Sequence, residues 1–227
     1  MRLLKLHGSL VVAVAGVFLL LPELLTSYFL PMPRATTIGR LIELTGAYFA
    51  LNWPWLLVAS LISAAGSITI LLLLFSRADT TVGGAIRSAM PLLIGYALAS
   101  FIANAMIVAG SMLFAIPGLY LLGRLAPIGA VVVAEQRRNP VEALHRTFAL
   151  TRRRGWAVCG FVVLVYLAGS LLVFATSRVI GALFLVAGGA RLGGLLSLIL
   201  DAGLAAALTT VTLVVYAAIY RRLAASA

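Results

Sequence analysis

This chain is poor in acid, cysteine and histidine. Only six Asp and Glu stand against 17 Lys and Arg, and charged residues fill 10% of its 227 positions. The acids, Glu23, Glu43, Asp79, Glu135, Glu142 and Asp201, include no close pair with the spacing of an acid/base couple or a metal site on one helix face. Hydrolysis by paired carboxylates has no basis here. The single cysteine, Cys159, excludes an intramolecular disulfide and a Cys-based zinc site. It lies in an apolar run and reads as a buried, inert thiol. The two histidines, His7 and His145, are far apart. No glycine-rich phosphate loop with a following Lys opens a helix, and the scattered Ser and Thr suit helix–helix contacts better than nucleophilic roles. No catalytic residue, metal or cofactor is expected, and the chain reads as a non-enzymatic protein.

Polar surface is equally short. With 63% hydrophobic residues and a mean hydropathy of +1.14, the chain cannot coat a soluble globule. What it has instead is long apolar runs. Between Met90 and Ala134 the only charge is Arg124, over about twice the roughly 20 residues that cross a bilayer, so this stretch must fold back as two helices. Six spans are expected in all, near 8–30, 53–75, 88–115, 118–134, 156–176 and 194–220. The fold class is therefore all-α: a polytopic six-span transmembrane helix bundle forming one domain over residues 1–227. Ile116-Pro117-Gly118 is the natural break between the third and fourth spans, with a reversal nearer Gly110-Ser111 as the competing placement. The first run follows Arg2 and Lys5, as a signal peptide would. Its Ala13-Val14-Ala15 sits in mid-run, however, and hydrophobicity resumes after Pro22-Glu23, which favours a retained helix.

Charge orients the bundle. Arg2, Lys5, Arg77, Arg87, Arg137, Arg138, Arg146, Arg152, Arg153, Arg154, Arg221 and Arg222 share one side, while only Arg34, Arg40, Arg178 and Arg191 face the other. The positive-inside rule then puts both termini in the cytoplasm. Trp53 and Trp55 are expected at the outer interface, Trp156 and Tyr220 at the inner one. The net charge of +11 is clustered beside apolar spans, which points to the phospholipid bilayer and its anionic headgroups, not to nucleic acid.

The fourth loop has structure of its own. Asn139 is placed as an N-cap, Pro140 at the first helical position, and Glu142 where it complements the positive helix end, which predicts a short helix over about 139–151. Val141, Leu144 and Phe148 form an apolar stripe, with Arg137, Arg138, Arg146, Arg152, Arg153 and Arg154 around and beyond it. This helix is expected to lie in the interface. Either it is an anionic-lipid platform or its arginines only set topology. A fainter counterpart, Val82-Gly83-Gly84-Ala85-Ile86-Arg87, precedes the third span.

Three charges fall inside the spans: Arg124, Asp201 and Glu23, at comparable estimated depth. An Arg in hydrocarbon requires a partner, a wet cavity or a route to the interface. Asp201 is the expected partner and Glu23 the second, with a structural ion pair favoured over a substrate or proton path.

Several strings resemble one family. They are Ile116-Pro117-Gly118-Leu119-Tyr120, Arg124-Leu125-Ala126, Val131-Val132-Val133-Ala134-Glu135, the stretch from Pro140-Val141-Glu142-Ala143-Leu144 to Arg152, and Gly155-Trp156. Together they are similar to the central block of the glycerophosphoryl diester phosphodiesterase membrane domain family, the YciC-like bacterial inner-membrane proteins. The resemblance implies a six-helix inner-membrane domain of poorly defined role, sometimes fused to a soluble phosphodiesterase. The soluble enzyme is a barrel of about 250 residues with paired histidines, for which this chain has neither the length nor the residues.

Three classes of function stay open. A non-enzymatic module of the bacterial inner membrane, organising lipid or an unidentified membrane partner protein, needs only the bundle and its basic face. A small transporter or lipid translocator would use the intramembrane charges. An intramembrane enzyme of lipid headgroups would need a convergent polar pocket that the sequence does not display.

Overall fold

The computed structural model describes residues 2–33, 35–75, 81–152 and 154–225. Ten α-helices follow one another among them: α1 (Arg2–Ala15), α2 (Leu21–Phe29), α3 (Ile38–Phe75), α4 (Val82–Ala89), α5 (Leu93–Leu113), α6 (Ala115–Leu125), α7 (Ile128–Ala134), α8 (Pro140–Thr151), α9 (Gly155–Gly188) and α10 (Gly194–Ala224). Six helical segments are long and apolar enough to cross a membrane: Gly8–Phe29, Ile38–Phe75, Val82–Leu113, Ala115–Ala134, Gly155–Gly188 and Arg191–Ala224. The all-α six-span architecture is thus the one the apolar runs predict.

The boundaries differ from those expectations at two prolines. Pro54 lies inside α3 instead of near its start, so the helix runs 38 residues and Trp53 falls in its interior. The N-terminal half of α3 is tied to the end of the first span, since the Tyr48 hydroxyl donates to the Leu30 carbonyl at 3.0 Å and Trp55 Nε1 donates to Thr26 Oγ1 at 3.3 Å. At about 1.5 Å per residue α3 is about 57 Å long, well beyond a hydrocarbon core of roughly 30 Å. Pro117 likewise breaks nothing. The chain reverses one turn earlier, at the extended residue Phe114, and Pro117 sits in the first turn of α6, where no intrahelical N–H is needed. The true interruption of the fourth span is Ala126-Pro127, between α6 and α7.

The core is organised around α7. Ile128 to Val133 are all buried, because this short segment is surrounded by α3, α5, α8 and α10. Val133 joins Leu71, Leu73, Leu92 and Leu213 in one apolar cluster, and Val132 joins Ala99, Leu125 and Leu144 in a second. Between spans of such composition the attraction comes from close packing, so small residues decide how near the helices approach. Gly123 is the tightest case relevant to the site. A Cβ there would lie 2.2 Å from Cys159 Cα, so only glycine lets α6 meet α9 at this point.

Candidate functional site at the arginine end

The ends of α3, α7 and α10 and the start of α8 come together at one end of the bundle. Arg221 donates to the Leu74 carbonyl with its guanidinium 5.3 Å from the Phe75 ring, and Tyr220 donates to Glu135 at 3.3 Å. The chain enters this end through a left-handed residue. Gln136 has φ +53°, and the Arg137 N–H returns to the Val132 carbonyl at 3.0 Å, closing α7 as glycine commonly does elsewhere.

The α8 cap forms as its residue types require. Asn139 Oδ1 accepts from the Val141 N–H at 3.0 Å, Pro140 occupies the first turn, and Asn139 Nδ2 donates to Glu142 at 3.2 Å. The helix does not present the expected stripe to lipid, however. Val141 is 52% exposed, whereas Leu144 is in the core cluster and Phe148 packs against it. The buried face is Ala143, Leu144, Thr147, Leu150 and Thr151, turned towards α5, α6 and α7. Two threonines can face a core because each bonds its own helix. The Thr147 hydroxyl donates to the Ala143 carbonyl at 2.7 Å, and that of Thr151 to the Thr147 carbonyl at 2.9 Å. α8 is therefore a wall of the bundle and not a peripheral helix.

Arg124 explains why α8 folds inward. Its Nη2 donates to the Phe148 carbonyl at 2.7 Å and its Nε to Thr151 Oγ1 at 3.2 Å. The last turn of α8 tightens so that the Arg152 N–H goes to Ala149, which takes the regular backbone donor away from the Phe148 carbonyl. A guanidinium at the negative end of a helix supplies that donor. Its flat face also lies 4.8 Å from the Phe148 ring centroid and 5.6 Å from that of Tyr120.

The expected grouping of Arg124 with Asp201 and Glu23 is not assembled. Asp201 accepts from the Ser177 hydroxyl of α9, and Glu23 is an exposed residue of α2. Equal depth does not bring these residues together, because the end of α8 carries the Phe148 carbonyl and the Thr151 hydroxyl to the arginine.

Glu135 is the second anchor. Its carboxylate accepts from Arg137 Nε at 2.7 Å, Arg146 Nε at 2.9 Å and Tyr220 at 3.3 Å, with its side chain only 17% exposed. Partial burial pushes the carboxyl pKa up, but the hydrogen bonds and charges of Arg146 and Arg137 outweigh it, and the net result lies below the ordinary value. Arg137 also reaches Glu142 at 3.5 Å. Arg138, Arg152 and Arg154 differ from these two. They are exposed, and among the described residues none has an ion-pair partner. The backbone of Arg138 is nonetheless fixed, because its carbonyl lies where a Cβ of Gly95 would be, 2.4 Å away. Arg153 lies outside the described residues.

Sequence reasoning missed the hub role of Glu135, the part of Tyr220 in it, and Thr147 and Thr151. The i, i+4 spacing of the two threonines was the available signal. The fainter counterpart of α8 also takes shape. Thr81 caps α4 by accepting from Gly84 N at 3.2 Å, and Ala85, four residues after the cap, is buried as Ala143 is in α8. No family model, curated protein or solved structure matches the chain.

Proposed function

We propose that this integral membrane protein is a non-enzymatic module of the bacterial inner membrane that holds anionic phospholipid at its arginine-rich end, with both termini in the cytoplasm. One observation carries the reading. Arg124 and Glu135 hold α8 against the bundle, and Arg138, Arg152 and Arg154 beside it stand exposed with no ion-pair partner among the described residues. Guanidinium groups suit phosphate oxygens, and each basic residue near an anionic leaflet contributes about 1 kcal/mol. The apolar spans bring these arginines to headgroup level without any inserted amphipathic stripe. The resemblance of the quoted residues to the YciC-like membrane domains supports the placement in the inner membrane, and a partner protein sharing that lipid face is compatible with the reading.

The test uses purified full-length chain in mixed vesicles or nanodiscs of phosphatidylglycerol and phosphatidylcholine. Fluorescent phosphatidylglycerol should be enriched around the protein, and the enrichment should fall as salt rises. The triple change Arg138→Gln, Arg152→Gln, Arg154→Gln should abolish the enrichment while leaving the melting temperature within a few degrees. Equal enrichment for the triple variant, or no preference over phosphatidylcholine, would overturn the proposal.

A further inference from the structure

A cavity of about 340 Å³ lies inside the bundle, lined by residues of the second to the sixth spans. Its polar groups are Tyr96, Ser100 and Asn104 of α5, Tyr166 of α9 and Tyr216 of α10. The rest of the wall is apolar or small, and among the described residues no charged side chain lines it. The space exists for two reasons. Ala103, Ala126, Gly129 and Ala130 present almost no side chain, and the chain between α6 and α7 turns at Ala126-Pro127 instead of continuing as a straight helix. Pro127 has no N–H, so the Gly123 carbonyl lacks its regular donor beside this cavity.

Consider what such a space can hold. At roughly 30 Å³ per molecule it would take about eleven waters, each wanting two to four polar partners. Five polar side chains, of which Asn104 already donates to the Ser100 carbonyl at 2.9 Å, cannot satisfy so many. An ion or a phosphate would meet no opposite charge, and its desolvation would go uncompensated. A mostly apolar wall with a few convergent hydroxyls, in this range of volume, is instead the usual make-up of a small-molecule site. Access is lateral. Tyr166 is 50% exposed and Asn104 is exposed, on α5 and α9, which do not pack extensively along one another. Molecules dissolved in the bilayer therefore reach the site without crossing water.

We infer that this cavity is a binding site for one uncharged amphiphile taken from the bilayer, a molecule with an apolar body and one or two hydroxyl or carbonyl groups that pair with Tyr216, Tyr166 and Asn104. The site is separate from the arginine end, and the two proposals stand or fall apart.

Dioctanoylglycerol serves as the uncharged probe and dioctanoyl phosphatidic acid as its charged counterpart with the same chains. Binding to the full chain in detergent is read by native mass spectrometry and by the rise in melting temperature. The diacylglycerol should bind saturably at one per chain and the phosphatidate at least tenfold more weakly. Tyr216→Phe and Asn104→Leu each keep the volume of the wall and should weaken the diacylglycerol about fivefold, the usual effect of one neutral hydrogen bond. Ala103→Phe should fill the space and abolish binding, and a ligand-free melting temperature near that of the wild type shows it is folded. The three arginine substitutions above should leave binding unchanged. Absence of saturable binding, equal binding of phosphatidate, or binding that survives both Tyr216→Phe and Asn104→Leu undiminished would overturn the inference.

Discussion

Arg124 closes the end of α8 at Phe148 in two ways at once: its Nη2 donates to the backbone carbonyl at 2.7 Å while its guanidinium plane lies 4.8 Å from the ring of the same residue. A lysine could reproduce the charge but neither the two-point donation nor the stacking. This contact joins α6 to α8 and so decides that the loop after the fourth span is part of the bundle.

Acid should loosen this end of the bundle. The Glu135 carboxyl has a pKa below its ordinary value in the folded protein, so the stability it contributes is present above the ordinary carboxylate range and is lost as pH falls through the folded value. Thermal unfolding in detergent should therefore show an acid limb that is flatter in Glu135→Gln than in the wild type. Tyr220→Phe, which removes the longest of three donors, should flatten it less. Identical limbs in wild type and Glu135→Gln would place the carboxylate outside the network.

Gln136 occupies a left-handed conformation that costs a non-glycine residue about 1 kcal/mol. Gln136→Gly should be neutral or stabilising by up to about 1 kcal/mol, the gain being reduced by loss of the Nε2 donation to the Val133 carbonyl at 2.9 Å. Gln136→Val should lower the melting temperature, since a β-branched side chain resists this conformation. A destabilised glycine variant would contradict the assignment of strain.

Helix contact through Gly123 predicts a contrast between two glycines. Gly123→Ala should cost about 1–3 kcal/mol, because its Cβ would overlap Cys159 Cα and separate α6 from α9. Gly160→Ala, one residue along α9 from that contact, has open space around it and should be neutral or slightly stabilising. Urea or dodecyl sulfate unfolding of the two variants separates them.

Much of the architecture was legible in the residues themselves. Six apolar runs became six candidate spans, and Asn139-Pro140-Val141-Glu142 became a capped helix start, because length in hydrocarbon and hydrogen bonding at a helix end are local requirements. Proline was the poorest guide. Pro117 reads as a boundary but is carried within a helix, whereas Pro127, inside an apolar run, marks the interruption of the fourth span. The candidate site was legible only in its parts. Hydropathy put Val141, Leu144 and Phe148 on a stripe facing the membrane interface and passed over Thr147, yet a threonine that bonds its own helix is effectively apolar and can face the core. The partners of Arg124 are a backbone carbonyl and an uncharged hydroxyl, and no search for a carboxylate finds them. The cavity depends on Ala, Gly and Tyr from four spans that meet only in the folded chain.

The most direct test of the account is a pair of double-mutant cycles on Arg124, read as unfolding free energies in detergent. Arg124→Ala should cost about 2–4 kcal/mol, the range for losing hydrogen bonds from a charged donor. Combined with Thr151→Val, it should show a coupling of about 1 kcal/mol or more, because the two side chains meet at 3.2 Å. Combined with Asp201→Ala, it should be additive within about 0.5 kcal/mol, since Asp201 is engaged by Ser177. Coupling to Asp201 and additivity with Thr151 would contradict the account, returning Arg124 to a carboxylate partner and α8 to the membrane surface.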